Sequence, residues 1–231
     1  MEESVRREGR AALASEIELL ENIEKVFYTA VLADALDELG QHDRAMREYL
    51  RPLAPEMKFA GYARTILCQD TFYTPSDPYA LEIEAIDSLL PGEVAVVSTG
   101  ESKRNAPWGE LLSTASRARG ARGAVIDGLV RDVRAIQDLG FPVFTAGIKP
   151  VDSKGRGIVV DYNVPVQCGG IVVTPGDLIV GDFDGIVAIP ADLIDETVKL
   201  AREKISKENY SRKDLLAGAY LAEVYAKYGV L

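Results

Sequence analysis

The chain has 231 residues, of which 47% are hydrophobic and 27% charged, so it is long enough for a sizeable core of ordinary globular composition. Its net charge of -10 at pH 7 repels nucleic-acid phosphates and anionic lipid, and we expect neither as a partner. No apolar run approaches the roughly 20 residues that span a bilayer. The first residues show no apolar signal segment, which favours a cytoplasmic location.

The sequence contains a single histidine, His42, which excludes sites that need several imidazole groups. His42 lies among charged residues, and a solvated turn is a better interpretation than membership of a Ser-His-Asp triad. Cys68 and Cys168 lack the spacing of a metal-binding pair, and we expect both to be reduced and buried. A catalytic metal would therefore use carboxylates and water, which indicates Mg²⁺ or Mn²⁺.

The chain opens with helical periodicity over residues 11–40. Within it, Thr29 is the predicted N-cap of a second helix, and Gly40 is its predicted end. The next predicted elements are a strand that Gly61 interrupts and a helix, at residues 58–68 and 79–89. The opening segment is thus expected to form a helical extension that precedes the first strand.

Strands and helices then alternate, which favours parallel strands joined by right-handed crossovers. The strands are predicted at residues 94–97, 124–126 and 142–145, and the helices at residues 109–119 and 131–140. Gly128 is predicted to open a loop after the second of these strands. Beyond residue 158, short apolar strands separated by turns indicate antiparallel or mixed pairing. These strands are predicted at residues 158–161, 164–168, 170–173, 178–181 and 185–189, and two C-terminal helices at residues 191–208 and 214–228.

Ligands bind at the carboxyl ends of the strands in open α/β sheets, where helix N-termini also lie. Glu110 begins one predicted helix, and Arg131 and Asp132 begin the next, so all three fall on the same sheet edge. The free backbone N–H groups of Leu111 and Leu112 can bind an anion such as a carboxylate. This juxtaposition predicts a site for a carboxylate ligand and a divalent metal.

Each of these residues also has a structural interpretation. Acidic residues such as Glu110 and Asp132 are favoured in a first helical turn by the helix dipole alone. Arg131 is alternatively a surface cation or the ion-pair partner of Asp127. A planar guanidinium beside carboxylates at a helix N-terminus nevertheless suits a bidentate carboxylate clamp.

Two further pairs are weaker candidates. Asp182 and Asp184 straddle one residue after a strand, but an Asp-Gly turn at Gly185 is the favoured interpretation. Lys149 and Lys154 are candidate Schiff-base residues, although the surrounding glycines indicate an exposed loop. The sequence contains no phosphate-binding loop and no dinucleotide fingerprint.

Taken together, these segments resemble the RraA-like family, which includes class II 4-hydroxy-4-methyl-2-oxoglutarate aldolases and regulators of ribonuclease E activity. The resembling segments are residues 33–40 (ADALDELG), 108–112 (WGELL), 119–128 (RGARGAVIDG), 130–133 (VRDV), 142–144 (PVF), 163–166 (NVPV), 174–177 (TPGD) and 181–190 (GDFDGIVAIP). The resemblance implies one domain with a swivelling-domain-like α/β fold and a mixed central sheet with flanking helices. Its parts would be a helical extension at residues 1–40, an α/β core at residues 41–190 and C-terminal helices at residues 191–231.

The pattern that this chain shares with the aldolases of the family is an acidic residue followed, after twenty intervening residues, by Arg-Asp. The acid is usually Asp and is Glu110 here, whereas the regulators have Gly at that place. The resemblance therefore implies a class II pyruvate aldolase that cleaves a 4-hydroxy-2-oxo acid of the 4-hydroxy-4-methyl-2-oxoglutarate type through an enolate. It also implies oxaloacetate decarboxylase activity. The alternative is a non-enzymatic regulator that binds and inhibits a ribonuclease.

The resemblance also implies roles for individual residues. Asp132 would anchor Mg²⁺ or Mn²⁺, with Glu110 acting through water, and Arg131 would bind the small 2-oxo acid and stabilise its enolate. The substrate carboxylate would contact Gly109, Leu111 and Leu112. Asp182 or Asp184 would only support the site. The family resemblance further implies a homotrimer or homohexamer in which an acid from a neighbouring subunit, expected to be Glu208, completes each site.

Overall fold

The computed structural model describes residues 2–230, with side chains described from residue 13 onwards. The helices are α1 (Glu2–Val26), α2 (Thr29–Glu38), α3 (Ala80–Asp87), α4 (Glu110–Ala118), α5 (Val133–Leu139), a 3₁₀ turn (Ala191–Leu193), α6 (Ile194–Leu216) and α7 (Leu221–Tyr228). The strands are β1 (Arg51–Pro52), β2 (Phe59–Asp70), β3 (Glu93–Ser98), β4 (Gly123–Val130), β5 (Val143–Ile148), β6 (Gly157–Tyr162), β7 (Val166–Cys168), β8 (Ile171–Val173), β9 (Leu178–Gly181) and β10 (Ile186–Ile189).

Eight strands form one mixed sheet in the order β1-β5-β4-β3-β2-β9-β10, and β6 pairs with the end of β2. The four central strands β2 to β5 run parallel, because helical crossovers connect them. Strands β1, β6, β9 and β10 pair in the antiparallel sense, and β7 and β8 form a separate hairpin. The predicted α/β architecture with a mixed central sheet and flanking helices is confirmed.

The central strands are buried on both faces, which explains their nearly continuous apolar sequences. Every residue of β4 is buried, and on one side of the sheet the rings of Phe59 and Phe144 meet edge to face at 5.2 Å between centroids. On the other side, Ile136 of α5 packs in one cluster with Trp108 and Ile126. The helix starts that carry the predicted site are therefore fixed to a rigid core.

The terminal helices α1, α2 and α6 pack together against β9 and β10. Their shared core includes four fully buried residues, Leu20, Leu32, Leu36 and Ala201. Gly40 adopts a left-handed conformation with φ +75° just beyond α2, which confirms it as the helix end. Within the described residues, no helix has the length and apolar character needed to cross a membrane.

Several local predictions were wrong. Tyr28, not Thr29, is the N-cap of α2, and the Thr29 hydroxyl donates instead to Asp182 Oδ1 at 2.7 Å. Gly61 does not interrupt β2; it permits close strand packing, because a β-carbon there would lie 2.7 Å from the Gly92 carbonyl oxygen. Gly128 does not open a loop, because β4 continues through it to Val130.

Two further predictions need correction. The last helix begins at Leu221, and Asp214 belongs to the preceding helix α6, which is longer than predicted. Both cysteines are free thiols, as expected, and Cys168 is buried, but Cys68 is partly exposed. Cys68 lies in the outer half of β2, where the sheet opens towards the loops that carry the candidate site.

Candidate active site

The starts of helices α4 and α5 are joined by a short parallel bridge between Trp108 and Val130. The backbone N–H of Arg131 donates to the carbonyl oxygen of Trp108 at 2.9 Å. Trp108 is itself fixed, because its buried indole N–H donates to Ser113 Oγ at 2.8 Å. This bridge brings the segment that begins at Gly109 against the Arg-Asp pair, as the sheet-edge argument predicted.

Asp132 lies directly against Gly109. The backbone N–H of Glu110 donates a long hydrogen bond of 3.4 Å to Asp132 Oδ2, and a β-carbon on Gly109 would lie 2.7 Å from the same oxygen. Asp132 is the N-cap of α5 and has a left-handed backbone with φ 58°. Such a conformation costs about 1 kcal/mol in a non-glycine residue, and Asp is one of the residues that tolerate it.

Arg131 is held by acidic neighbours but keeps free donor capacity. Its Nη2 lies 3.1 Å from Asp152 Oδ1, and its Nη1 lies 3.9 Å from Asp132 Oδ2. Its Nε is buried and has no acceptor among the described residues. The ion pair with Asp127 is not formed, because that buried carboxylate accepts hydrogen bonds from the backbone N–H and hydroxyl of Thr99.

The N-terminus of α4 is left open for an anion. Its N-cap is Gly109, which has no side chain to accept a hydrogen bond from the first turn. The N–H groups of Leu111 and Leu112 lie in that first turn, where no intrahelical acceptor exists. The helix dipole adds partial positive charge at this point, so the two amides suit a carboxylate.

These groups face one cavity of about 320 Å³. Its lining includes Pro107, Gly109, Leu111, Leu112, Arg131 and Asp132, together with Tyr79, Glu82 and Ile83 from α3 and Asp152 from the loop after β5. The structure therefore brings five of the predicted substrate and metal residues to this cavity, at positions 109, 111, 112, 131 and 132. Their individual roles stay predictions.

Asp152 is a site residue that the sequence reasoning missed. It is positioned by the backbone, because Lys149 N–H donates to the Val130 carbonyl and Ala106 N–H donates to the Val151 carbonyl. Tyr79 OH donates to Asp152 Oδ2 at 2.5 Å. Burial opposes ionisation of Asp152, but the Tyr79 hydrogen bond, backbone amides and Arg131 outweigh it and lower its pKa.

Glu82 is the second missed residue. Burial raises the pKa of Glu82 to about 7; the negative charge of Asp152 adds to the rise, and Arg131 partly opposes it. A sequence signal for Glu82 existed, because it lies three and four residues before Ala85 and Ile86 on the buried face of α3. An acid on the apolar face of a helix is unusual enough to indicate function.

Glu110 contacts the site through its backbone more than through its side chain. Its carboxylate accepts a hydrogen bond of 2.7 Å from the Thr114 hydroxyl, one turn along the same helix. Glu208 lies elsewhere in the chain, where it accepts a hydrogen bond from Tyr28 OH and lines a second cavity beside Arg212. Within one chain Glu208 therefore does not join the cavity of Arg131.

The weaker candidates have structural contacts. Asp182 binds the backbone N–H and the hydroxyl of Thr29 at the start of α2, at 2.8 and 2.7 Å. Lys149 Nζ donates to two backbone carbonyls, those of Lys103 and Arg104, and so is engaged in holding a loop. The remaining three, His42, Lys154 and Asp184, are exposed.

The donor chemistry at Asp132 fits a hard divalent cation. No group of three or more potential metal-ligating side chains occurs in the part of the chain that the structure describes. A cation here would therefore take its remaining ligands from water and substrate. Mg²⁺ behaves in this way, because it retains several waters and uses one or two carboxylates. Asp132 is available for this purpose, since its carboxylate is about half exposed and, among the described residues, has only the long contacts to Glu110 and Arg131.

Residues 29–188 match the RraA-like family, described as Aldolase/RraA, and the chain belongs to this family. A protein of Halalkalibacterium halodurans, named "putative 4-hydroxy-4-methyl-2-oxoglutarate aldolase", is 33% identical over 176 residues, which are 76% of this chain and 79% of that protein. The names of such relatives support a lyase interpretation of the family, as the sequence resemblance implied.

Solved structures share the same fold. A Pseudomonas syringae protein without an assigned function has a TM-score of 0.79 and 29% identity, with 94% of each chain covered. RraAS2 of Streptomyces coelicolor, described as an unusual member of the RNase ES inhibitor RraA protein family, has a TM-score of 0.75 and 29% identity. The match covers 84% of this chain and 96% of that one. The RraA fold is therefore confirmed, and the family contains both aldolase and inhibitor names.

Proposed function

We propose that this protein is a divalent-metal-dependent lyase that cleaves a 4-hydroxy-2-oxo acid to pyruvate through an enolate. The observation that supports this most strongly is the position of Arg131, whose guanidinium lies in one cavity with Asp132 and the uncapped start of α4. A 2-oxo acid carries a carboxylate beside a carbonyl group. The cavity offers a separate donor group for each of them.

The substrate carboxylate binds at the N–H groups of Leu111 and Leu112. Arg131 donates to the C2 oxygen, where negative charge develops as the C3–C4 bond breaks. A fixed cation at that position stabilises the transition state more than the ground state, which is what catalysis requires. Decarboxylation of oxaloacetate passes through the same pyruvate enolate, so the same residues serve both reactions.

Asp132 is the residue proposed to hold Mg²⁺ or Mn²⁺, with Glu110 acting through water. When bound, such a cation supplies Lewis-acid polarisation of the C2 carbonyl. The left-handed backbone of Asp132 and its contact with Gly109 orient the carboxylate towards the cavity. The fold would thus hold the Asp132 carboxylate in position before the substrate binds.

Pyruvate release tests this proposal. We expect the purified protein to release pyruvate from 4-hydroxy-4-methyl-2-oxoglutarate and from oxaloacetate with Mg²⁺, and to stop when a chelator is added. Release should resume when Mg²⁺ or Mn²⁺ is restored in excess. No pyruvate from either substrate, or from other 4-hydroxy-2-oxo acids, would contradict the proposal.

Glu208 is proposed to act in the site of a neighbouring subunit within a homotrimer or homohexamer. Light scattering after size exclusion measures the assembly. Complementation measures the shared site: Asp132→Asn and Glu208→Gln are each expected to be inactive alone, whereas co-assembled mixtures recover activity at sites where both intact residues meet. Failure of every mixture to exceed its separate components would argue against a shared site.

A ribonuclease-binding regulator is the second candidate function, favoured by the structural similarity to RraAS2. Glu110 argues against it, because the sequence resemblance associates an acid at this place with the aldolases. A pull-down from cell extract distinguishes the two. A stable ribonuclease partner, with inhibition of that nuclease and no pyruvate release, would favour the regulator.

A further inference from the structure

Glu82 occupies a position between two cavities. It lines the substrate cavity together with Arg131 and Asp152, and it also lines an inner cavity with room for about one water molecule. The inner cavity is bounded by polar side chains, among them the buried residues Asn105 and Ser153. Glu82 is the acidic side chain that the two cavities share among the described residues.

The groups that face Glu82 come from four parts of the fold. Arg131 extends from the end of β4, and Asp152 lies in the loop after β5. Cys68 and Asp70 come from the outer half of β2 and border the inner cavity. Tyr79 lies one turn before Glu82 on α3, and its hydroxyl is already committed to Asp152.

The titratable side chains around this position differ in pKa. Burial raises the pKa of the Cys68 thiol, so this residue stays neutral at pH 7. Asp152 is committed to the Arg131 and Tyr79 contacts, and its pKa is lowered. Glu82 makes no comparable ion pair among the described residues, and its carboxyl group titrates near neutrality.

We propose that Glu82 is the catalytic acid–base residue of the cavity, a role that rests on the proposed lyase function. As a carboxylate it accepts the proton of the substrate C4 hydroxyl. The electrons of that O–H bond form the C4 carbonyl, and those of the C3–C4 bond pass to the pyruvate enolate. Glu82, now a carboxylic acid, returns the proton to C3 of the enolate, which yields pyruvate and regenerates the carboxylate.

Other acids of the cavity are less suited to this task. Asp132 and Glu110 are assigned to the metal in the proposed function, so their carboxylates are already committed to another role. Asp152 is a weak base, because Arg131 and Tyr79 stabilise its carboxylate. A general base works best when its pKa lies near the operating pH, and divergent environments for two neighbouring carboxyls separate such roles.

The pH dependence of kcat/KM tests the role of Glu82. The wild-type rate is expected to fall tenfold per pH unit below an apparent pKa of about 7, because protonated Glu82 cannot accept the hydroxyl proton. Glu82→Gln should lose about 100-fold or more in activity and lose this acidic limb. Glu84→Gln, on the exposed side of the same helix, is the matched control and should retain the wild-type profile.

A second measurement uses no cleavage substrate. With pyruvate and Mg²⁺ in D₂O, the wild-type protein should exchange the methyl protons of pyruvate for deuterium, detected by NMR. Glu82→Gln should slow this exchange about 100-fold while pyruvate still binds. Glu82→Asp keeps a carboxyl group and should restore part of the exchange, which guards against a merely unfolded variant.

The outcomes separate the two proposals. Wild-type turnover with an unchanged rate and acidic limb in Glu82→Gln would overturn the role of Glu82 and leave the lyase intact. Neither pyruvate release nor proton exchange by the wild type would overturn the lyase and the Glu82 role with it. Loss of the limb and of exchange in Glu82→Gln, with partial recovery in Glu82→Asp, supports both.

Discussion

The carboxylate oxygen Oδ2 of Asp132 lies 2.7 Å from the position that a β-carbon on Gly109 would take. Gly109 has an extended backbone that alanine can adopt, so Gly109→Ala acts through the contacts of its β-carbon, with Asp132 Oδ2 and with Arg131 Cγ at 3.2 Å. In this variant we expect the Asp132 carboxylate to rotate away from residue 109. The loss of folding stability should be near the lower end of the ~1–3 kcal/mol that is typical when an extra methyl group is inserted into a packed region. Metal-dependent pyruvate release should nevertheless fall by more than tenfold.

Gly140→Ala provides the control for this variant. Gly140 has a left-handed backbone with φ +67°, and nothing would contact an added β-carbon. The substitution should therefore cost about 1–2 kcal/mol of stability through strain alone, with activity retained. Thermal unfolding and pyruvate release, measured together, should give opposite rankings for the two variants; the same ranking in both assays would contradict the contact argument.

Arg131→Ala removes the cation expected at the enolate oxygen. We expect kcat to fall by about 100- to 1000-fold, the typical loss when one transition-state donor is removed. Arg131→Lys should recover little, because an ammonium group lacks the planar fork that now contacts Asp152 and Asp132. Steady-state kinetics measures both, and Arg134→Ala, an exposed change in the adjoining helix α5, should have no effect.

Asp132→Asn removes the proposed metal anchor without backbone strain, because Asn also tolerates the left-handed conformation that Asp132 adopts at φ 58°. Activity should be lost at all Mg²⁺ concentrations, and Mn²⁺ binding in a calorimetric titration should weaken strongly. The unfolding temperature should stay near that of the wild type. Wild-type Mn²⁺ affinity in this variant would place the cation elsewhere.

The site was predictable where it depends on sheet topology. Alternating strand and helix patterns fix parallel order, and parallel order brings the starts of α4 and α5 to one edge. For this reason Glu110 could be paired with Arg131 and Asp132 from the sequence. Short-range signals such as Gly40 as a helix end were also sufficient. The mixed pairing of the later strands followed from their turn spacing.

Other features depend on contacts that no local pattern encodes. Asp152 joins the site because its loop bonds to Val130 and Ala106, and Tyr79 meets it from a different crossover. Thr29 resembled an N-cap, yet the carboxylate that binds the start of α2 comes from Asp182, which lies 153 residues later. Here a long-range hydrogen bond takes the place of a local N-cap, and such a contact can be seen only in the folded chain.

Glu110 should matter less than Asp132. Its side chain is held along α4 by the Thr114 hydroxyl and is proposed to reach the cation through water. Substitution of a residue that contacts a metal only through one of its ligands commonly reduces activity or metal affinity 10- to 100-fold. We therefore expect Glu110→Gln to reduce kcat roughly tenfold and Thr114→Val less than that. A loss in Glu110→Gln as large as that in Asp132→Asn would instead indicate direct coordination.

Asp182 should affect stability and leave catalysis intact. Its carboxylate accepts the backbone N–H and the hydroxyl of Thr29, so it stabilises the first turn of α2 in place of a local cap. Asp182→Ala should cost about 1–2 kcal/mol, the scale of a lost cap, and lower the unfolding temperature by roughly 2–8 °C. Asp184→Ala removes an exposed acid from the same turn and should shift unfolding by less than about 0.5 kcal/mol. Because neither residue lines the cavity of Arg131, both variants should retain pyruvate release per folded molecule, and a selective loss of turnover in Asp182→Ala would restore it as a site residue.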